Sequence, residues 1–312
     1  MLLHRRHILG LEGMPADEII AILDTADTLK EILSRPIKKV PTLRGRSICT
    51  LFYEPSTRTR TSFELAAKIL SADVSSLAPS TSSVTKGESF RDTLLTIQAM
   101  GTDLFVIRHP CAGAPLFASR IVNVPVINAG DGMHEHPTQG LLDMLTLRSI
   151  KGKLAGLQIA IVGDIAHSRV ARSNAWGFAT VGAAVRIAGP PTLMPPGLEA
   201  TGARIYDHLE PAIEGADVVY VLRIQKERMD SGLLPSLREY TRLYGVTAER
   251  LSRYAAKDAI VMHPGPVNRG VEIAPDVVDA GYSVITDQVA NGVALRMALL
   301  YLLLGGSDAP RG

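Results

Sequence analysis

The sequence predicts an α/β protein: two doubly wound domains, each a mostly parallel sheet flanked by helices, joined by helices. Three observations predict it. Apolar, β-leaning runs alternate with segments of helical periodicity. They do so in two series, separated where Lys151-Gly152-Lys153 breaks the pattern. And 312 residues give room for two domains of ordinary size.

The elements follow in order. Residues 15–33 read as an amphipathic helix, with Ile19, Ile22, Leu23, Ala26 and Leu29 as its apolar stripe and Pro15 in its first turn. Strands are expected at 47–53, 73–77, 103–107 and 124–128, and helices near 58–70, 88–100 and 114–121. Alternation of this kind implies parallel strands covered on both faces. A helix over 136–150 carries Leu141, Leu142, Leu145 and Ile150. The second series has a strand at 157–162, a helix at 168–180, and strands at 185–188, 217–222 and 259–262. The last helix, 289–304, is apolar nearly all round and must be buried. The expected domains are therefore 1–150 and 151–287, with the terminal helix (288–305) packing back on the first.

Composition removes several function classes. The chain is 46% hydrophobic and 21% charged, which excludes disorder. A net charge of +2 gives no broad field toward nucleic acid or membrane, so neither is expected as a partner. Cys49 and Cys111 stand far apart without metal spacing, the pattern of reduced thiols in the cytoplasm. No long apolar stretch follows Met1, so neither signal peptide nor membrane span is expected. The turn Gly163-Asp164-Ile165-Ala166-His167-Ser168 lacks the glycine fingerprint of dinucleotide folds, and no P-loop occurs. No nucleotide or other cofactor is expected.

The chemistry is carried by motifs at the expected strand ends. Residues 56–61 read Ser-Thr-Arg-Thr-Arg-Thr, where the first strand turns into a helix. A helix N-terminus offers unpaired N–H groups and the positive end of a dipole. Hydroxyls and guanidiniums added there predict a site for a phosphate dianion. Arg108-His109-Pro110 follows another strand, so Arg108 is expected at the same rim; His109 reads equally well as a turn residue. His136 and Gln139 open a helix three residues apart and can hold a carbonyl oxygen and a neighbouring NH₂. The alternative is that Thr138 or Asp131 caps the helix and His136 is solvated. His134 and His136 lack a third ligand for a metal.

Lys86 lies in a polar loop over 82–88 that reads as solvated on its own. Arg223 and Gln225 alternate with Ile224 after a strand and suit a carboxylate, although Glu227 and Arg228 also fit an internally paired loop. Arg169 is a further cation at a strand end. His263-Pro264-Gly265-Pro266 is a rigid loop whose carbonyls suit an NH₂ donor, or a plain tight turn. Together these residues describe a ligand with phosphate, carbonyl and amide beside a second ligand with carboxylates. No Ser or Cys nucleophile has an obvious base, which points to direct transfer between two bound substrates.

Over essentially its whole length the chain resembles the aspartate carbamoyltransferase family. Ser-Thr-Arg-Thr-Arg-Thr-Ser-Phe at 56–63, Arg-His-Pro at 108–110 and His-Pro-Thr-Gln at 136–139 look like its carbamoyl-phosphate motifs, which ornithine carbamoyltransferases largely share. Arg-Ile-Gln-Lys-Glu-Arg at 223–228 and His-Pro-Gly-Pro-Val-Asn-Arg-Gly at 263–270 look like the aspartate enzymes; the His-Cys-Leu-Pro motif of the ornithine enzymes is missing. The resemblance implies transfer of the carbamoyl group from carbamoyl phosphate to the α-amine of L-aspartate, an early step of pyrimidine synthesis, with ornithine as the rival acceptor. It assigns domain 1–150 to carbamoyl phosphate and 151–287 to aspartate. Ser56, Thr57, Arg58 and Thr59 would bind phosphate. Thr59, Arg108 and His136 would hold the carbonyl oxygen, and Gln139 with Pro264, Gly265 and Pro266 the amide. Arg169, Arg223 and Gln225 would hold aspartate, and Ser82 and Lys86 would come from a neighbouring subunit of a homotrimer with shared sites. Glu54 would pair with Arg169 and Arg228 on domain closure. Regulatory chains or a dihydroorotase are further partners in the family.

Overall fold

The computed structural model describes residues 3–77, 87–225, 228 and 232–305. It divides into two compact units, Met1–Leu145 with Val289–Gly312, and Thr146–Gln288. The terminal helix thus belongs mainly to the first unit.

In the first unit, α1 (Ala16–Leu33) opens on Pro15, which occupies the N-cap in extended backbone rather than the first turn. A residue with φ locked near −65° and no N–H donor suits either place. Four strands follow: β1 (Ser47–Phe52), β2 (Asp73–Leu77), β3 (Leu104–His109) and β4 (Val126–Asp131). They pair in the order β2-β1-β3-β4, all parallel. Residues of β1 and β4 are buried along nearly their whole length, whereas β2 at the edge is mostly exposed and carries Asp73, Ser75 and Ser76. The N-terminal segment adds a bridge beyond β4, with Ile8 N–H donating to Val126 and Asn128 N–H to Ile8.

Helices α2 (Thr57–Ile69), α3 (Phe90–Ala99), α4 (Ala114–Ser119) and α5 (Pro137–Lys151) connect and follow these strands. One sheet face buries Cys49, Leu51, Phe105 and Ile107 against Leu94 and Ile97 of α3 and Ala118 of α4. Burial raises the Cys49 thiol pKa to about 11, more than a hydrogen bond from Ser75 lowers it, while Cys111 is exposed. Only thiolate attacks. A disulfide reagent at neutral pH is therefore expected to label one thiol per native chain and two in denaturant. Two labels on the native protein would contradict the burial.

The second unit holds β5 (Gln158–Val162), α6 (Arg169–Thr180), β6 (Ala184–Ala188), β7 (Arg204–Tyr206), α7 (Leu209–Ile213), β8 (Val218–Val221), α8 (Leu237–Tyr244), α9 (Ala248–Tyr254), β9 (Ile260–Met262) and α10 (Pro275–Val278). Its sheet is parallel in the order β7-β6-β5-β8-β9. The strand β7 and helices α7 to α10 go beyond the sequence prediction; all but α8 are seven residues or fewer, too short to show a pattern. The helices α7 to α10 cover Ala160, Val162, Val219, Val221 and Val261 on one face.

The final helix α11 (Ile285–Leu304) starts four residues earlier than the periodicity suggests. It is long and apolar enough to cross a membrane by composition, but 72% of that stretch is buried inside the protein. It is a core helix, as its all-round apolar surface requires.

Candidate functional site

Each sheet, taken by itself, has a topological switch point, with loops at the carboxyl edge beside it. In the first unit the order β2-β1-β3-β4 reverses direction between β1 and β3. Ligands of open α/β sheets gather there. The loop after β1 enters α2, and β3 ends in Arg108 and His109. Phe52 and Arg108 are register partners, and Tyr53 N–H donates to the Arg108 carbonyl at 2.8 Å, so the two loops leave the sheet side by side.

Ser56 is the N-cap of α2, yet its hydroxyl makes no capping bond. Elsewhere Ser89, Ser168, Ser236 and Thr247 all accept a backbone N–H as N-caps. The Ser56 oxygen is thus withheld from the helix. The first intrahelical bond runs from Arg60 N–H to the Ser56 carbonyl, which leaves the amides of the first turn pointing out along the axis. Thr57 and Arg58 are exposed, whereas Thr59 is buried.

Arg60 departs from the expectation that both guanidiniums serve one ligand. It lies 3.7 Å from Glu64, one turn further along α2. Residues two apart on a helix lie on opposite sides, so Arg58 and Arg60 do not converge.

The Arg108 guanidinium sits 3.4 Å from Glu54 and donates to the Ala129 carbonyl at 3.4 Å. This pairing of Glu54 was not foreseen, since resemblance gives it Arg169 and Arg228. His109 settles as a structural residue. Its ring packs on Tyr53 and Phe90 with centroids 4.8 and 5.2 Å away, and its Nδ1 accepts from Cys111 N–H. Burial lowers its pKa, which keeps it neutral.

His136 is buried just ahead of α5, with its Nδ1 3.4 Å from the Thr138 hydroxyl. The solvated alternative for His136 is therefore removed. Gln139 is half-buried and donates through Nε2 to Asp143 at 3.0 Å. The turn that presents both is built by Asp131, which the sequence suggested only as a cap. Its buried carboxylate accepts from Gly113 and Glu135 N–H, from Asn128 Nδ2 and faces His134 Nδ1. Burial acts to raise its pKa, but the bonds from His134, Gly113 and Asn128 outweigh that and hold it below the usual range. Gly132 follows at φ 51°, where a Cβ would come within 2.8 Å of the Pro110 carbonyl, so only glycine fits. Glu135, also buried, accepts from Leu11 and Glu12 N–H and ties the turn to the N-terminal segment.

In the second unit the order reverses between β5 and β8. Arg169 is the first residue of α6 after β5 and is buried. Arg223 and Gln225 follow β8 and are half-buried, while Ile224 between them enters the core, as the alternation implied. Gln225 N–H donates to Asp164 at 3.2 Å, and Asp164 also holds the His167 ring at 2.8 Å. Arg228 donates to the His167 carbonyl at 3.3 Å, so the two loops interlock.

After β9, His263 is buried and faces Glu272 at 3.2 Å through Nε2, while Nδ1 accepts from Gly265 N–H at 2.8 Å. Glu272 also accepts from Asn268 N–H. Pro264, Gly265 and Pro266 are thus held in a cross-braced loop, with a cis bond between Gly265 and Pro266. Neither Asp164 nor Glu272 was singled out, because a lone carboxylate gives no sequence signal of burial. Ser82, Lys86, Lys226 and Glu227 lie outside the described residues. Among the described residues no cluster of three His, Cys, Asp or Glu could hold a metal.

Residues 6–149 match the family model for the carbamoyl-P binding domain of aspartate/ornithine carbamoyltransferases, and residues 155–303 the model for the Asp/Orn binding domain. The aspartate carbamoyltransferase catalytic subunit of Pelotomaculum thermopropionicum is 62% identical, covering 96% of this chain and 97% of its own. Aspartate transcarbamoylase of Trypanosoma cruzi, solved with carbamoyl phosphate, superposes with a TM-score of 0.86 at 30% identity, over 96% of each chain. Ornithine carbamoyltransferase of Thermus thermophilus also superposes at 0.86, with 28% identity over 97% of this chain and 100% of that one. The fold alone therefore does not separate the two acceptors; the relative at 62% identity is one named for aspartate. With two family models matched across nearly its full length and a close relative spanned end to end, the chain belongs to the aspartate/ornithine carbamoyltransferase family.

Proposed function

We propose that the protein transfers the carbamoyl group of carbamoyl phosphate to the α-amine of L-aspartate, giving N-carbamoyl-L-aspartate and phosphate. The observation that carries this is the first switch point. An uncapped helix start, Arg108, His136 and Gln139 supply donors for a phosphate and a carbonyl and a carboxamide for an NH₂. Ser56, Thr57 and Arg58 bind the phosphate, with Thr59 between phosphate and carbonyl oxygen. Arg169, Arg223 and Gln225 bind the aspartate carboxylates. Pro264, Gly265 and Pro266 are assigned to the amide, and Lys86 to the reaction, by the resemblance alone.

The neutral amine attacks the carbonyl carbon. An N–C bond forms, and negative charge grows on the carbonyl oxygen, where Arg108, Thr59 and His136 act as an oxyanion hole. The C–O bond to phosphate then breaks, and the amine proton leaves on a phosphate oxygen. His136 works as a hydrogen-bond donor rather than a base. Orientation and electrostatics supply most of the acceleration, which is why no nucleophile or cofactor is called for.

A homotrimer with shared sites is part of the proposal, as is residence in the cytoplasm in the service of pyrimidine synthesis. Both rest on the family. The test is phosphate release from carbamoyl phosphate in the presence of aspartate or of ornithine. Release with aspartate alone is expected. Release with ornithine alone would transfer the assignment to the rival acceptor, and release with neither would remove the enzymatic reading.

A further inference from the structure

A buried carboxylate is bonded to the Gln139 carboxamide and has no part in the reaction as proposed. Asp143, one turn along α5 from Gln139, is fully buried. Its Oδ1 accepts from Gln139 Nε2 at 3.0 Å. Arg296 of α11 is 3% exposed and donates to the Gly292 carbonyl at 2.9 Å. Its guanidinium stacks 5.2 Å from the centre of the Phe63 ring, on the helix whose first turn carries Ser56 to Thr59. Burial lowers the Arg296 pKa to about 10 against the opposing pull of Asp143, which leaves it cationic at neutral pH.

We propose that Asp143 is a positioning residue that sets which end of the Gln139 carboxamide faces the ligand. An ionised carboxylate has acceptors only, so it takes the NH₂ end of Gln139. The carbonyl oxygen is then the end presented outward. A carbamoyl group offers an NH₂ at that point, whereas an acetyl group offers a methyl. Asp143 thereby makes the site select a carbamoyl over an acetyl phosphate. With the amide reversed, NH₂ would meet NH₂. The inference rests on the reading that Gln139 faces the carbamoyl NH₂.

The test uses Asp143→Asn, whose side-chain NH₂ can donate and so reverse Gln139. The KM for carbamoyl phosphate is expected to rise about tenfold. The inhibition constant of acetyl phosphate should stay within about twofold, since a methyl loses no hydrogen bond. In Gln139→Glu with Asp143→Asn, the glutamate accepts on both sides and the low KM should return. Should Asp143→Asn fail to fold beside the buried charge of Arg296, the same comparison is made in Asp143→Asn with Arg296→Met, which removes both charges. Equal shifts for both phosphates, or no shift, would overturn the proposal. Gln139→Ala separates the two levels: if it changes the ratio of the two phosphates while the Asp143 variants do not, the reading of Gln139 survives and that of Asp143 falls. If Gln139→Ala leaves the ratio unchanged, both fall.

Discussion

Replacing Arg108 by leucine is expected to lower kcat about a thousand-fold with the fold intact, the loss typical of a removed oxyanion donor. The side chain stands where the strand order reverses, at the end of β3, and is aimed by two contacts, Glu54 at 3.4 Å and the Ala129 carbonyl at 3.4 Å. Those contacts fix the direction of the planar guanidinium before a ligand arrives. Such preorganisation costs no reorganisation during the reaction. Lysine should recover little, because a single ammonium cannot hold Glu54 and the carbonyl and still reach the ligand. Turnover is measured at saturating substrates beside the circular dichroism spectrum. A loss of less than tenfold in kcat would remove Arg108 from the oxyanion hole.

Asp131→Ala is expected to destabilise the protein by about 3 kcal/mol, since it strands several buried donors at once. Gly113 and Glu135 N–H, Asn128 Nδ2 and the His134 ring all converge on this carboxylate. The turn over 131–136 would loosen, and His136 with it. Urea unfolding reads the loss, and Asp131→Asn, which keeps one acceptor oxygen, should recover part of it. The pH dependence has a definite sign. The folded pKa lies below the ordinary 3.8, so the stabilisation is complete above that value and is lost as pH falls through the lower, folded one. The gap between wild type and Asp131→Asn should therefore narrow below about pH 4. A variant as stable as the parent at pH 7 would show the turn to be held by something else.

The strands were legible because parallel sheets bury both faces of a strand and leave apolar runs that need no partner to be seen, as at β1 and β5. The helix starts were legible for a similar reason: Ser56, Ser89 and Ser168 stand just before periodic apolar residues. Short elements such as β7 and α7 were not, because three to five residues carry too little pattern to rise above a loop. Nor did the residue run at 56–61 disclose that Arg60 turns to Glu64, although the helical spacing that separates it from Arg58 was present in the numbering.

What the sequence by itself determined was the kind of chemistry: hydroxyls and arginines at the start of one helix, a His and a Gln at the start of another, and cations after a strand of the second unit. Those are local patterns, and their meaning follows from residue type and spacing. Only the tertiary structure decided how each donor is aimed. Asp131 holds the turn before His136, Asp143 turns the Gln139 amide, Asp164 holds the Gln225 loop, and Glu272 braces His263. All four carboxylates are buried. In a sequence, an Asp or Glu looks the same whether solvent or core will surround it. Burial comes from packing between elements distant along the chain, and burial is what turns an ordinary carboxylate into an obligatory acceptor.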